Sequence, residues 1–202
     1  MTEKEKMLAG LAYNAYDEEL LSLHRSAEVL QAEFNALPPF DPKRQELLRR
    51  FCPGAQEDTY FRGPVYFDYG CFVTFGKGFY ANYNCVILDV CPVTIGDNVL
   101  FGPNVSLLTP AHPLDYRDRN PGPKEDCEFG DPIVIEDEVW LGGNVVVLGG
   151  VRIGKGSVIG AGSVVTKDIP AGVVAVGNPC HVLRPITEAD RMAFHPERYA
   201  HK

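Results

Sequence analysis

The chain has 202 residues, 45% of them hydrophobic, and a formal net charge of −8. That length and apolar content suit one folded domain with a small appendage and argue against wholesale disorder. The acidic balance argues against nucleic acid as the main partner, because phosphate binding needs a basic face. The opening MTEKEKMLAG is charged and lacks the apolar stretch of a secretion signal, and runs such as Val145–Leu148 are far too short to span a bilayer. The expectation is a cytoplasmic protein with no membrane partner. Cys52, Cys71, Cys85, Cys91, Cys127 and Cys180 form no C-x-x-C pair, and no regular histidine spacing accompanies them. No metal is expected, and most of the cysteines read as reduced, buried, small apolar residues.

Residues 1 to about 50 read as helical. Leu8, Leu11 and Ala12, then Leu20, Leu23, Ala27 and Leu30, recur at three- and four-residue steps. Pro38 and Pro39 interrupt, Asp41-Pro42 starts a second short helix through Arg50, and Pro53-Gly54 ends the region. Residues 1–55 are therefore expected to form a helical cap.

Beyond it the texture changes to a six-residue frame. Ile135, Leu141, Val147, Ile153, Ile159, Val165 and Ala171 are all apolar, and the fifth position of each unit (Val139, Val145, Val151, Ser157, Ser163, Ile169, Ala175) is small or apolar. The frame also runs through Phe75, Ala81 and Ile87, then Ile95, Phe101 and Leu107, with two residues inserted near Cys91-Pro92. A six-residue unit buries one side chain only if neighbours stack on it, and three units close one triangular coil. Residues 56–186 are expected to form a mainly β, parallel β-helix of about five or six coils, roughly 25–30 Å tall at about 4.8 Å per coil. An ordinary sandwich would show period-two alternation with variable spacing. The polar, Pro- and Gly-rich segment from Thr109 to Pro132 carries no hexad and reads as a loop extruded from the solenoid. Residues 187–202 read as a tail. The loop contains His112, the single histidine between His24 and His181.

Five stretches then carry a resemblance: I-G-D-N-V at 95–99, A-H-P-L-D at 111–115, V-W-L-G-G at 139–143, I-G-A-G-S-V-V-T-K-D-I-P at 159–170 and G-N-P at 177–179. With E-K-E-K-M-L-A-G at the start and Tyr16-Asp17-Glu18 after it, the chain resembles the maltose and galactoside O-acetyltransferases over about residues 3–190. The resemblance implies a left-handed winding, opposite to the usual hand of parallel crossovers. It implies transfer of acetyl from acetyl-CoA to a sugar hydroxyl, with His112 as general base; a histidine's ordinary pKa of about 6.5 suits that task. Asp17, Asp68 and Asn82, with Asn84 and Arg25, are the implied acceptor contacts. Glu128 is a candidate to orient the imidazole or touch the sugar. Gly143, Ala161, Thr166, Lys167, His181 and Arg184 are the implied coenzyme contacts, the Gly143 N–H also serving the oxyanion. Asp68 and Val90 stand where the galactoside enzyme has serine and aspartate, which fits a maltose-type acceptor better. His181 stands where that enzyme has arginine. The family is typically trimeric, and a narrow prism with its site residues spread along the chain points to a homotrimer with sites shared between subunits.

Three other functions compete. A non-catalytic solenoid would not need the loop histidine. A metal-dependent hydratase of this architecture needs three histidines, and the hexad region holds one. An acetyltransferase for another acceptor (amino sugar, serine or antibiotic) stays open on the residues alone.

Overall fold

The computed structural model describes residues 1–120, 127–195 and 198. From Tyr60 onward short parallel strands stack on three faces. Face I holds Val73–Phe75, Val93–Ile95, Ile133–Ile135 and Arg152–Ile153. Face II holds Tyr60–Phe61, Tyr80–Ala81, Leu100–Phe101, Trp140–Leu141, Val158–Ile159 and Val173–Val176. Face III holds Val65–Phe67, Cys85–Leu88, Ser106–Leu108, Val146–Leu148 and Val164–Val165. The chain visits faces II, III and I in turn, and each full turn brings it back onto the same sheet. Phe61, Ala81, Phe101, Leu141, Ile159 and Ala175 stack as six levels of face II, so the solenoid has about six turns.

Strand alternation explains the hexads: one residue of each two- or three-residue strand points into the prism. Ile135, Leu141, Val147, Ile153, Ile159 and Val165 are all fully buried. Ala171 departs from the frame and is exposed. Ile159 pairs with Ala175, and Ile153 bridges Ile169, so the last coil is two residues shorter than the one before it. Ile169 and Ala175 take the core positions instead. Two buried hydroxyls tie this short coil down. Ser157 Oγ accepts from Val173 N and donates to Pro170 O, while Ser163 Oγ accepts from Gly177 N and donates to Gly160 O. The two-residue insertion expected near Cys91-Pro92 has a second copy one coil earlier, since Phe67 to Phe75 and Ile87 to Ile95 both span eight residues. Both insertions widen the corner between faces III and I.

The N-terminal region is three helices: α1 (Glu3–Leu8), α2 (Glu18–Ala36) and α3 (Lys43–Phe51). The apolar period suggests that Leu11 and Ala12 continue the first helix. They are instead exposed and non-helical, because Gly10 at φ +72° turns the chain out of α1. Asp17 restarts it as the N-cap of α2, accepting from Glu19 N at 3.0 Å and Leu20 N at 3.4 Å. Leu20, Ala27, Leu30 and Phe34 then form the buried stripe of α2.

This cap closes the bottom of the solenoid. Gln31 exchanges two hydrogen bonds with the backbone of Phe67, and Asn35 exchanges two with Val65. One turn apart on α2, the two amides pair the otherwise open edge of the first face III strand. Leu30, Phe34, Leu47, Leu48 and Phe51 belong to the same core cluster as the solenoid interior. Arg44 is buried with them, and its guanidinium donates to the carbonyls of Phe34, Leu37 and Phe61. Those acceptors compensate its burial.

Candidate active site

The corners between faces III and I stack into one edge of the prism, because Phe67, Ile87, Leu107, Val147 and Val165 stand in register one above another. Asp68 and Tyr69 follow the lowest strand, Asp89 and Val90 the next, then the extruded loop, and Thr166 with Lys167 leave the highest. Five predicted site residues (Asp68, His112, Glu128, Thr166 and Lys167) thus lie along one edge.

The loop is anchored by two short antiparallel strands, Pro110–Ala111 and Phe129–Gly130, with Phe129 opposite Ala111. That register sets His112 across from Glu128, and His112 Nε2 lies 3.8 Å from Glu128 Oε2. Tyr13, from the turn after α1, meets the same residue. Its hydroxyl donates to Glu128 Oε1, and its N–H donates to the Glu128 carbonyl at 3.0 Å.

Below this pair is a cleft of about 260 Å³ whose lining includes Tyr13, Tyr16, His24, Asp68, Val90 and Glu128. Asp68 Oδ1 stands 3.6 Å from His24 Nε2, and the His24 ring meets Tyr69 edge-on at 5.8 Å. Burial pushes the Asp68 carboxyl up to about 6; His24 pulls it back down and the Glu128 charge raises it further. Asp89 is wholly buried beneath the cleft. Its Oδ1 accepts from Tyr69 N and Gly70 N at 2.9 and 3.0 Å, and its Oδ2 from Phe72 N at 3.1 Å. It therefore fixes the turn that presents Asp68 and Tyr69. Burial outweighs these bonds and lifts its carboxyl to about 6.

Asp17 and Arg25 do not line this cleft. Asp17 Oδ1 caps α2, and Arg25 is exposed. His24, one residue earlier on α2, lines the cleft. Helix phase is the signal: His24 lies four residues after Leu20 and three before Ala27, on the buried stripe, and the next residue points about 100° away. Nothing local to Tyr13 marks it, because its partner is 115 residues away.

Residues 6–53 match the family described as maltose acetyltransferase hexapeptide capping motif. Residues 132–167 match bacterial transferase hexapeptide repeats, and residues 92–108 the hexapeptide repeat of succinyl-transferase. The galactoside O-acetyltransferase of Escherichia coli K12 is 42% identical over 192 residues, covering 95% of this chain and 93% of that one. This chain belongs to the maltose and galactoside O-acetyltransferase family. A solved maltose O-acetyltransferase from Clostridium difficile superposes at a TM-score of 0.88 with 46% identity, over 93% of this chain and 99% of that one. A galactoside acetyltransferase solved with coenzyme A superposes at 0.88 with 40% identity, over 100% and 96%. The left-handed winding implied by the resemblance comes with that membership.

The remaining residues implied by the family lie elsewhere. Asn82, Asn84, Gly143 and Ala161 follow face II strands and stack at the corner between faces II and III. Asn84 sits at φ +58° and starts a ladder: its Nδ2 donates to Asn104 Oδ1 at 3.0 Å, and Asn104 Nδ2 to Asn144 Oδ1 at 3.1 Å. Asn82 Oδ1 accepts from Tyr83 N. The corner is tight above this: a Cβ on Gly142 would lie 2.7 Å from Ala161 N. Among the described residues the backbone N–H groups of Gly143 and Ala161 have no acceptor, although Gly142 N and Asn144 N on either side of Gly143 are bonded. Face III separates this edge from the His112 edge. From Asn82 to Leu88 the chain covers about 20 Å at roughly 3.3 Å per residue.

His181 and Arg184 lie on the exposed strand His181–Pro185, which runs antiparallel to Val173–Val176. The Arg184 fork is held by Asp190, with contacts of 2.8 and 2.7 Å. Arg152 and Lys155 pair with Glu136 and Asp137 at 2.6 and 3.2 Å, forming a solvated basic rim. All six cysteines are free thiols, and burial pushes Cys85 up to about 12 and Cys91 to about 11. Among the described residues no cluster of His, Cys, Asp and Glu could hold a metal, and no helix is long and apolar enough to cross a membrane.

Proposed function

We propose that this protein transfers the acetyl group of acetyl-CoA to a hydroxyl of a glucose- or maltose-like sugar, directly and in a ternary complex. The observation that carries this reading is His112 set against Glu128, which lines a cleft together with Asp68 and His24. Glu128 Oε2 lies on the Nε2 side of the His112 ring, and we assign Nδ1, on the other side, the role of taking the proton. The sugar oxygen attacks the thioester carbonyl as its proton passes to Nδ1, and the Gly143 N–H receives the oxyanion. Collapse breaks the C–S bond, and the imidazolium returns the proton to the departing thiolate. The buried, protonated thiols of Cys85 and Cys91 argue against an acetyl-cysteine intermediate at either residue. Asp68 and Asn82 orient the sugar. Gly143 and Ala161 offer backbone donors to the coenzyme, while Thr166, Lys167, His181 and Arg184 surround its phosphates.

The separation of these groups onto two edges supports a homotrimer in which one subunit's His112 edge faces the neighbour's Gly143 edge. Outward side chains agree with this. Tyr66, Tyr83, Leu100, Trp140 and Leu148 are exposed on or beside faces II and III, whereas face I presents Thr74, Thr94 and Arg152 with a half-buried Val134. His112→Ala tests the reading. Turnover should fall by on the order of 10²–10⁴, the worth of a general base, with acetyl-CoA binding unchanged. Turnover near that of the unaltered protein would refute it.

A further inference from the structure

Tyr13 is the single link, among the described residues, between the N-terminal segment and the carboxylate that faces the catalytic histidine. Its side chain is 2% exposed and packs with Met7, Leu20, Tyr69 and Val90. The turn that carries it is fixed on both sides. Gly10, at φ +72°, passes so close to the loop base that an added Cβ would lie 2.9 Å from Gly130 O. The Met7 carbonyl accepts from Cys91 Sγ at 3.1 Å. On the far side the Asp17 cap starts α2. Tyr13 therefore has little freedom of its own, and it reaches Glu128 through both backbone and hydroxyl.

Glu128 stands beside a second carboxylate. Its side chain is 16% exposed, and the Asp68 carboxyl is close enough that each raises the energy of the other's charge. The phenol donates to Oε1 and leaves Oε2 on the side of His112 Nε2. Burial and Glu128 both hold the Tyr13 phenol protonated, so it stays a donor.

We propose that Tyr13 is a positioning residue for the reaction: from the N-terminal cap it fixes Glu128 in the orientation that aligns His112. This rests on His112 being the base. The cap then has a part in the chemistry as well as in closing the solenoid, since displacing α1 would release Glu128.

The test is a double-mutant cycle on the full-length protein, with kcat and both KM values measured for Tyr13→Phe, Glu128→Gln and the pair. Tyr13→Phe keeps the ring and its packing. Its kcat should fall about tenfold with the acetyl-CoA KM unchanged, the pattern of lost alignment. In the Glu128→Gln background the same change should cost less than twofold, because Tyr13 acts through Glu128. Unchanged kcat in Tyr13→Phe, losses that multiply in the pair, or a rise confined to the acceptor KM would each overturn the proposal. If Tyr13→Phe fails to fold, the pair Tyr13→Phe/Glu128→Met, which removes the carboxylate, is compared with Glu128→Met alone. Equal kcat values support the proposal and a further loss overturns it. Retained turnover in His112→Ala is a separate outcome that removes the base itself and leaves the Tyr13–Glu128 coupling measurable.

Discussion

Replacing Asp89 by asparagine should change how stability depends on pH more than it changes stability at neutrality. The carboxyl is fully buried and accepts three backbone N–H bonds, yet burial holds its pKa near 6, against 3.8 for the ordinary side chain. Between these values the folded chain binds more protons than the unfolded one. Stability therefore falls as pH rises through the window and is greatest below it. Two pH units at 1.36 kcal/mol each bound the effect at about 3 kcal/mol, of which about 2 kcal/mol lies between pH 7 and 4.5. Asparagine keeps an oxygen toward Tyr69 N and Gly70 N but sets an N–H₂ against Phe72 N, at a cost of about 1 kcal/mol at any pH. Urea unfolding at fixed protein concentration should thus show the original protein gaining about 2 kcal/mol on the variant as the pH drops from 7 to 4.5. Parallel profiles would refute the reasoning, because they would mean that Asp89 titrates alike in both states. The same variant loosens the turn carrying Asp68 and Tyr69, so its acceptor KM should rise while its acetyl-CoA KM holds.

Gly130→Ala should cost about 1–3 kcal/mol in thermal unfolding and lower kcat at least tenfold, because its Cβ would meet Thr109 O at 2.8 Å and Val90 Cγ2 at 2.9 Å and push the Glu128 strand from the His112 strand. Lys167→Ala with Arg184→Ala should weaken acetyl-CoA more than dephospho-acetyl-CoA in competition binding; equal losses would place neither charge at the 3′-phosphate. Light scattering should give three times the 22.3 kDa chain mass, and a fully active monomer would contradict a shared site.

The six-residue period determined the solenoid, because each unit repeats a local requirement: one apolar side chain inward, then a turn. Six of the seven positions from Ile135 through Ala171 are core on that ground alone, and the segment that broke the period was visibly the loop that carries His112. Helix phase likewise held enough to place His24 rather than Arg25 on the buried side of α2. Other features were decided only when distant segments met. The last coil contracts because Ser157 and Ser163 can bond Val173 N and Gly177 N, which puts Ile169 and Ala175 in the core and leaves Ala171 outside. Asp89 is drawn inside by amides of the previous coil, and Tyr13 finds Glu128 across 115 residues of chain. Periodicity reports what every coil shares. Hydrogen bonds between non-repeating residues are made once each, across sequence distances that no local pattern encodes, and at this site they hold the carboxylates in place.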